Sequence, residues 1–276
     1  MGDPAPWPFS DTQLARRLER TEGKSNADFV DARSRVDPAS GACWVEVDGT
    51  FAMFDGVGSP LTQTFGLGID VRASEETLGK VELFFRERGA EVFHEVSPLA
   101  DPSVIPLLNA RGYQPVELST VLVRPLDLDV DSSPPRSDGV VTRVARRDEA
   151  ELWAETSARG WSETAEAAAF VRALGAVMME SRCTTPFFAE IDGRPVATGG
   201  LNIHDGVALF AGASTIPGFR NRGAQNAMLS DRLRFAAQSG CDLAMMVALP
   251  GSGSQRNAER SGFRVAYTRT KWQLAK

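Results

Sequence analysis

Apolar and polar residues alternate over short stretches of this chain, and three of the breaks between stretches read Asp-Gly. Asp48-Gly49 joins Cys43–Val47 to Thr50–Phe54. Asp192-Gly193 joins Pro186–Ile191 to Pro195–Ile203, and Asp205-Gly206 joins that stretch to Val207–Ser214. A two-residue hairpin turn needs positive φ at both positions, which Asp-Gly tolerates, so each predicts a β-hairpin. Further strands are predicted at Thr62–Val71, Ala90–Val96, Gly112–Arg124, Val140–Val144 and Leu243–Leu249. Helical spacing predicts Asp11–Glu22, with Asp11 as cap and Leu14 and Leu18 inside, and Ser74–Gly89, with Leu78, Val81, Phe84 and Phe85 inside. Pro102–Ala110, Arg147–Ala158 and Thr164–Ser181 complete the set of helices before residue 200. Phe29–Val36 fits no template, and the Pro-rich Met1–Ser10 reads as a loop.

The most informative stretch is S-T-I-P-G-F-R-N-R-G-A-Q-N-A-M-L-S-D-R-L-R-F-A-A-Q-S, Ser214–Ser239. A strand runs into a loop carrying Pro217, Gly218, Arg220, Arg222 and Gly223. A helix follows, with Leu229, Leu233, Ala236 and Ala237 on one face and Gly240 at its stop. The first turn of a helix has unpaired N–H groups and a partial positive charge, which suits a phosphate or pyrophosphate. Gly223 lets backbone approach a ligand, and arginines add donors forked for phosphate oxygens. No G-K-[S/T] follows, so this is not a Walker loop.

The chain also looks duplicated. L-F-F-R-E-R-G-A-E-V (Leu83–Val92) parallels L-R-F-A-A-Q-S-G-C-D-L (Leu233–Leu243). N-A-R-G-Y-Q-P-V (Asn109–Val116) parallels A-E-R-S-G-F-R-V (Ala258–Val265) at nearly the same offset. Between the copies, Leu128–Gly139 is rich in turn formers and has no apolar periodicity, so it reads as a linker. The expected division is 1–127, a linker at 128–139, and 140–276. The copies differ at the corresponding helix start: where the second half has Arg220–Gln225, the first half has Val71–Gly79, with Glu75 and Glu76, which would repel a pyrophosphate.

Composition narrows the function classes. The 276 residues carry 36 acidic and 30 basic side chains, a net charge of −6, which gives no basic face for nucleic acid. Cys43, Cys183 and Cys241 lack motif spacing, and His94 and His204 are the only histidines. That argues against a disulfide framework and against a metal site. The first residues lack the features of a signal peptide, and no apolar run is long enough to span a membrane, so a soluble cytoplasmic protein is expected.

With the loop at Arg220–Gln225 and the later A-E-R-S-G-F (Ala258–Phe263), the chain resembles the GNAT superfamily of N-acetyltransferases. That family's pyrophosphate loop has Gln or Arg, two residues of any kind, Gly, one of any kind, then Gly or Ala. Arg220 and Gly223 match, and Gln225 departs at the last position. The resemblance implies an α/β (α+β) chain of two GNAT-like domains, each a mixed, mostly antiparallel sheet flanked by helices. It implies a degenerate first copy without a cofactor site and a catalytic second copy binding acetyl-CoA. Backbone groups of Ala213, Ser214 and Thr215 would pair with the pantetheine amides, and Arg220, Asn221, Arg222, Gly223, Ala224 and Gln225 would cradle the pyrophosphate. A strand N–H would polarise the thioester, and the amine of a small molecule would attack directly. The chain would act as a monomer or homodimer, with no metal, nucleic acid or membrane partner.

Two side chains that the family often carries are missing. Ala258 stands where a tyrosine acid is common, and the strand Leu209–Ser214 has no carboxylate. Tyr267, Ser254 and Asn257 are the candidate acids, and for Ser254 and Asn257 bonding to CoA is the preferred reading. Trp161, Arg159 and Glu155 are candidates for the acceptor pocket, with Trp161 read as a loop residue. Trp153 and Phe170 read as core, Glu190 as a surface carboxylate and His204 as a turn histidine. A catalytically silent CoA-binding protein, and a transferase for longer acyl groups, are the alternatives.

Overall fold

The computed structural model describes residues 6–127, 139–161 and 164–275. The expected linker at 128–139 lies almost wholly outside the described residues. The chain divides into two compact units. One comprises residues 8–123 and 247–276, the other essentially residues 124–246.

The first unit contains α1 (Thr12–Val36), β1 (Cys43–Val47), β2 (Thr50–Phe54), β3 (Gln63–Phe65), α2 (Glu75–Arg86), β4 (Phe93–Val96), α3 (Val104–Ala110) and β5 (Tyr113–Pro125). Two elements from the far end of the chain complete it. Its strand order is β1-β2-β3-β4-β11-β5, where β11 is Arg264–Leu274. Among the described residues of this unit, β3 and β4 pair in parallel and the other neighbouring strands are antiparallel. The second unit contains β6 (Val140–Val144), α4 (Ala150–Trp161), α5 (Ala165–Glu180), β7 (Thr184–Ile191), β8 (Arg194–His204), β9 (Val207–Thr215), α6 (Ala224–Gln238) and β10 (Leu243–Ala248). Its order is β10-β9-β8-β7-β6, with β9 and β10 parallel and the rest antiparallel. Both units thus repeat one plan, an antiparallel meander ending in a parallel pair that a helix bridges.

All three Asp-Gly hairpins form as expected. Asp48, Asp192 and Asp205 have φ of 50°, 53° and 49°, and the following glycines are also left-handed. Asp11 caps α1, its Oδ1 accepting from Leu14 N at 2.9 Å. Two expectations need correction. The first helix does not stop at Glu22 but runs to Val36, taking in the unassigned Phe29–Val36. Gly23 hides this continuity: a Cβ there would meet Phe51 Cδ2 at 2.7 Å, so the helix needs glycine to lie on β2. The strand expected at Thr62–Val71 is only Gln63–Phe65, ended by Gly66 and Gly68 at φ of 84° and 72°.

The contiguous second domain expected at 140–276 differs from the compact units. α7 (Gly253–Arg260) and β11 pack with residues 8–123, where β11 lies antiparallel between β4 and β5. Trp272 of β11 joins Leu78, Phe85, Leu108 and Tyr113 in a core cluster of that unit. The second unit has its own core of Ala145, Trp153, Met179 and Phe188, and Trp153 donates from Nε1 to Phe187 O at 3.1 Å.

A buried charge cluster ties β11 to α1. Arg269 and Glu19 are each 1% exposed, and Arg269 Nη1 lies 3.4 Å from Glu19 Oε2 and 2.8 Å from Glu22 Oε2. Glu95 Oε2 lies 3.6 Å from Arg269 Nε and accepts from Ser119 Oγ at 3.1 Å; its Oε1 lies 3.4 Å from Lys271 Nζ. Tyr267 donates its hydroxyl to Glu19 Oε1 at 2.8 Å. Burial, helped by the charges of Glu22 and Glu95 and opposed by Arg269 and Tyr267, pushes the Glu19 carboxyl up to about 7. A carboxyl raised in the folded state stabilises the fold below its unfolded value, and that stabilisation is lost as pH rises through the folded one. Between pH 5 and pH 8 the unfolding free energy measured by urea titration should therefore fall in wild type by on the order of 2 kcal/mol. The fall should be smaller in Glu19→Gln, whose amide resembles the protonated acid. Identical pH dependence in the two proteins would contradict this account.

Candidate functional site

The site begins where β9 loses one neighbour. Its parallel register with β10 runs from Leu243↔Val207 to Met246↔Phe210, and β9 continues five residues further, to Thr215. Over those residues its register is with β8. That register shifts between Ala211↔Gly200 and Ser214↔Thr198, leaving Gly212 and Ala213 opposite Gly199 alone. This is a β-bulge, and Gly212 takes the left-handed φ of 62° that such a position asks of the backbone.

The strand then feeds the loop. Ile216 N bonds Val196 O at 2.9 Å, and Pro217–Phe219 form a single 3-10 turn. Asn221 and Gly223 are left-handed, at φ of 61° and 82°. Gly223 is the N-cap of α6 and supplies no side-chain cap, and the first turn carries no acidic residue. The positive end of a 15-residue helix is therefore uncapped by side chains at the end of a bulged strand. The face predicted for this helix is inside: Leu229, Leu233, Ala236 and Ala237 are buried.

Side chains lock this junction. Arg220 donates from Nε to Thr215 O at 3.3 Å and from Nη2 to Gly160 O at 3.2 Å. Gln225, the departure from the family's loop, donates its amide to Thr215 Oγ1 at 2.8 Å. Arg222 is exposed, its guanidinium 5.5 Å from the Phe219 ring centre. Ser214 is buried; its Oγ lies 3.2 Å from Ser157 O and 3.1 Å from Thr198 Oγ1. A Cβ on Gly160 would collide with Ser214 Oγ, so α4 reaches this strand only through glycine.

The structure thus brings Ala213, Ser214 and Thr215 together with Arg220, Asn221, Arg222, Gly223, Ala224 and Gln225. The acceptor candidates Glu155, Arg159 and Trp161 lie in the same unit, on α4. Trp161 is the last residue of that helix rather than a loop residue, and is 58% exposed. Glu155 pairs with Arg172 of α5 at 2.6 Å. Phe170, read as core, is exposed, whereas Trp153 is buried as expected. Glu190 pairs with Arg143 at 2.7 Å.

Ser254 and Asn257 are exposed on α7, and Tyr267 lies on β11, so all three belong to the unit of residues 8–123 and 247–276. Tyr267 is committed to Glu19, and burial with that carboxylate pushes its hydroxyl well above its ordinary range. That environment makes it a poor acid. His94 is fully buried between Thr64 Oγ1 and the Tyr113 hydroxyl, at 2.7 and 3.1 Å, and burial pushes it down to about 3. It is neutral at physiological pH.

The corresponding helix start in the first unit is filled by the chain itself. Ser74 Oγ accepts from Thr77 N at 3.0 Å, Thr77 Oγ1 donates to Asp48 Oδ2 at 2.7 Å, and Glu75 and Glu76 occupy the first turn.

Sequence reasoning missed Arg232. It is fully buried in α6 and donates to Gly200 O at 3.0 Å and Met228 O at 3.4 Å, with its guanidinium 5.1 Å from the Phe210 ring centre. Burial pushes it down to about 10. A Cβ on Gly199 would meet its Nη1 at 2.9 Å, so the guanidinium lies directly under the bulge. The signal was there: position 232 falls on the buried stripe, three residues beyond Leu229 and four before Ala236.

No protein-family model and no curated protein matches the sequence. Solved structures do. A GCN5-related N-acetyltransferase from Kribbella flavida superposes with a TM-score of 0.67 at 18% identity, over 95% of this chain and 96% of that one. A tandem GNAT protein from the clavulanic acid biosynthesis pathway gives 0.59 at 12% identity, over 82% and 79%. A GCN5-related N-acetyltransferase from Sphaerobacter thermophilus gives 0.54 at 16% identity, over 85% and 76%. At these identities the likeness is one of fold: the chain has the mixed α/β, mostly antiparallel, tandem fold of the GCN5-related N-acetyltransferases.

Proposed function

We propose that the protein is an acetyl-CoA-dependent N-acetyltransferase whose cofactor site lies in residues 124–246 and whose acceptor is the primary amine of a small molecule. The observation that carries this reading is the junction of β9 and α6. A strand with an open edge and a bulge leads into an N-terminus that no side chain caps, within a GNAT-type fold.

The residues fit the two ends of CoA. Backbone groups of Ala213, Ser214 and Thr215 suit the pantetheine amides, because β9 runs past the end of its parallel register there. The N–H groups opening α6 suit the pyrophosphate. Arg222 is exposed and brings a fork of donors, while Arg220 holds the loop to Thr215 and Gly160. Acetyl-CoA supplies a thioester open to attack by a neutral amine. A strand N–H directed at the thioester oxygen would stabilise the negative charge that develops there. Positioning supplies the rest of the rate. The net charge of −6 favours a cationic or neutral acceptor over nucleic acid. No helix among the described residues is long and apolar enough to cross a membrane.

The alternative, a CoA-binding protein without turnover, draws on Tyr267, which is tied to Glu19, and on a β9 without a carboxylate. Calorimetry with acetyl-CoA tests the site. Wild type should bind, and Gly223→Asp should lose at least about tenfold in affinity, since its carboxylate meets the pyrophosphate and its Cβ strains a left-handed residue. Unchanged binding by a folded Gly223→Asp would remove the site from this loop. Release of free CoA in the presence of small amines separates the transferase from the silent binder.

A further inference from the structure

We propose that Met178 gauges the length of the acyl group, holding the site to acetyl; this inference rests on the cofactor reading above. The order of contacts fixes where the acyl group would lie. With the pyrophosphate at Arg220–Gln225 and the pantetheine along Thr215 to Ala213, the thioester end reaches the bulge at Gly212.

Glycine stands on both strands here, Gly212 in the bulge of β9 and Gly200 beside it on β8, where it pairs with Ala211. One side chain fills the space that their missing Cβ atoms leave. A Cβ on Gly212 would meet Met178 Cε at 3.2 Å and Met178 Sδ at 3.6 Å, with nothing else within 4 Å among the described residues. A Cβ on Gly200 would meet Met178 Sδ at 3.2 Å, then Ala211 O and Thr184 Cγ2 at 3.5 Å. Met178 sits near the end of α5, half-buried between the buried Val177 and Met179. Its flanking residues anchor the helix, while its own thioether projects over the bulge.

An acyl chain longer than acetyl, laid into the bulge, runs into that thioether. Methionine is flexible and yields at some cost, so the discrimination is graded rather than absolute. A methylene in a tight pocket is worth roughly 10–200-fold in selectivity. Shortening Met178 to alanine leaves the bulge unbounded on this face.

The test is binding, since it needs no acceptor amine. Dissociation constants for acetyl-, propionyl- and hexanoyl-CoA are measured by calorimetry for wild type and Met178→Ala, with Met178→Val as the second variant should alanine unfold the chain. The expected result is wild type preferring acetyl-CoA over hexanoyl-CoA by at least about tenfold, and a preference that falls about tenfold or more in the variant with acetyl-CoA affinity retained. Equal preferences in wild type and folded variant overturn the role of Met178 and leave the cofactor reading standing. A wild type that binds none of the three overturns both.

Discussion

Beyond Phe210, β9 is held by β8 while its parallel register with β10 has ended, and the extra residue at Gly212–Ala213 turns it toward α6. Every feature of the candidate site depends on that half-held strand. In the proposed function, its edge beyond Phe210 is where the pantetheine amides would pair. Its end sets where α6 begins, and so where the positive end of the helix points. Its bulge leaves a space that only glycine can leave, walled by Met178 on one face and underlain by Arg232 on the other. Arg220 and Gln225 then fix the loop to Thr215, so the geometry is built before any ligand arrives.

The first unit shows what the same plan becomes when its polar groups are used internally. Its parallel pair, β3 and β4, meets at Thr64↔His94, and His94 is sealed between two hydroxyls. Its bridging helix is capped by Ser74 and begins with two glutamates. Its charge is invested in the cluster of Glu19, Glu22, Glu95, Arg269 and Lys271, which joins both ends of the chain in one core. A buried cluster of this kind fixes the register of β11, because a slip by one residue would turn Tyr267 and Arg269 away from their partners.

Local chemistry was legible in the sequence, and long-range partnership was not. Asp-Gly turns announced three hairpins because their backbone demand is met by the two residues themselves. The apolar stripe of α6 and the stop at Gly240 were equally local. α1 was cut short because Gly23 interrupts its apolar pattern, and the reason for that glycine lies in Phe51 of β2. The place of β11 was illegible for the same reason: its partners, β4 and β5, lie in the first half of the chain. Tyr267 could be named as a candidate acid because nothing nearby in sequence reveals Glu19. Within the candidate site, the loop residues were readable from Arg220 and Gly223. Gln225 looked like a defect until its bond to Thr215 was seen, and Met178 had no signal apart from the glycines it covers.

Amide hydrogen exchange with and without acetyl-CoA decides between the two helix starts, because it reads both units at once. New protection is expected at Ala213–Thr215 and Ala224–Ala227, and none at the start of α2, Glu75–Leu78. Protection gained at Glu75–Leu78, or none gained along β9 and α6, would contradict the proposed site.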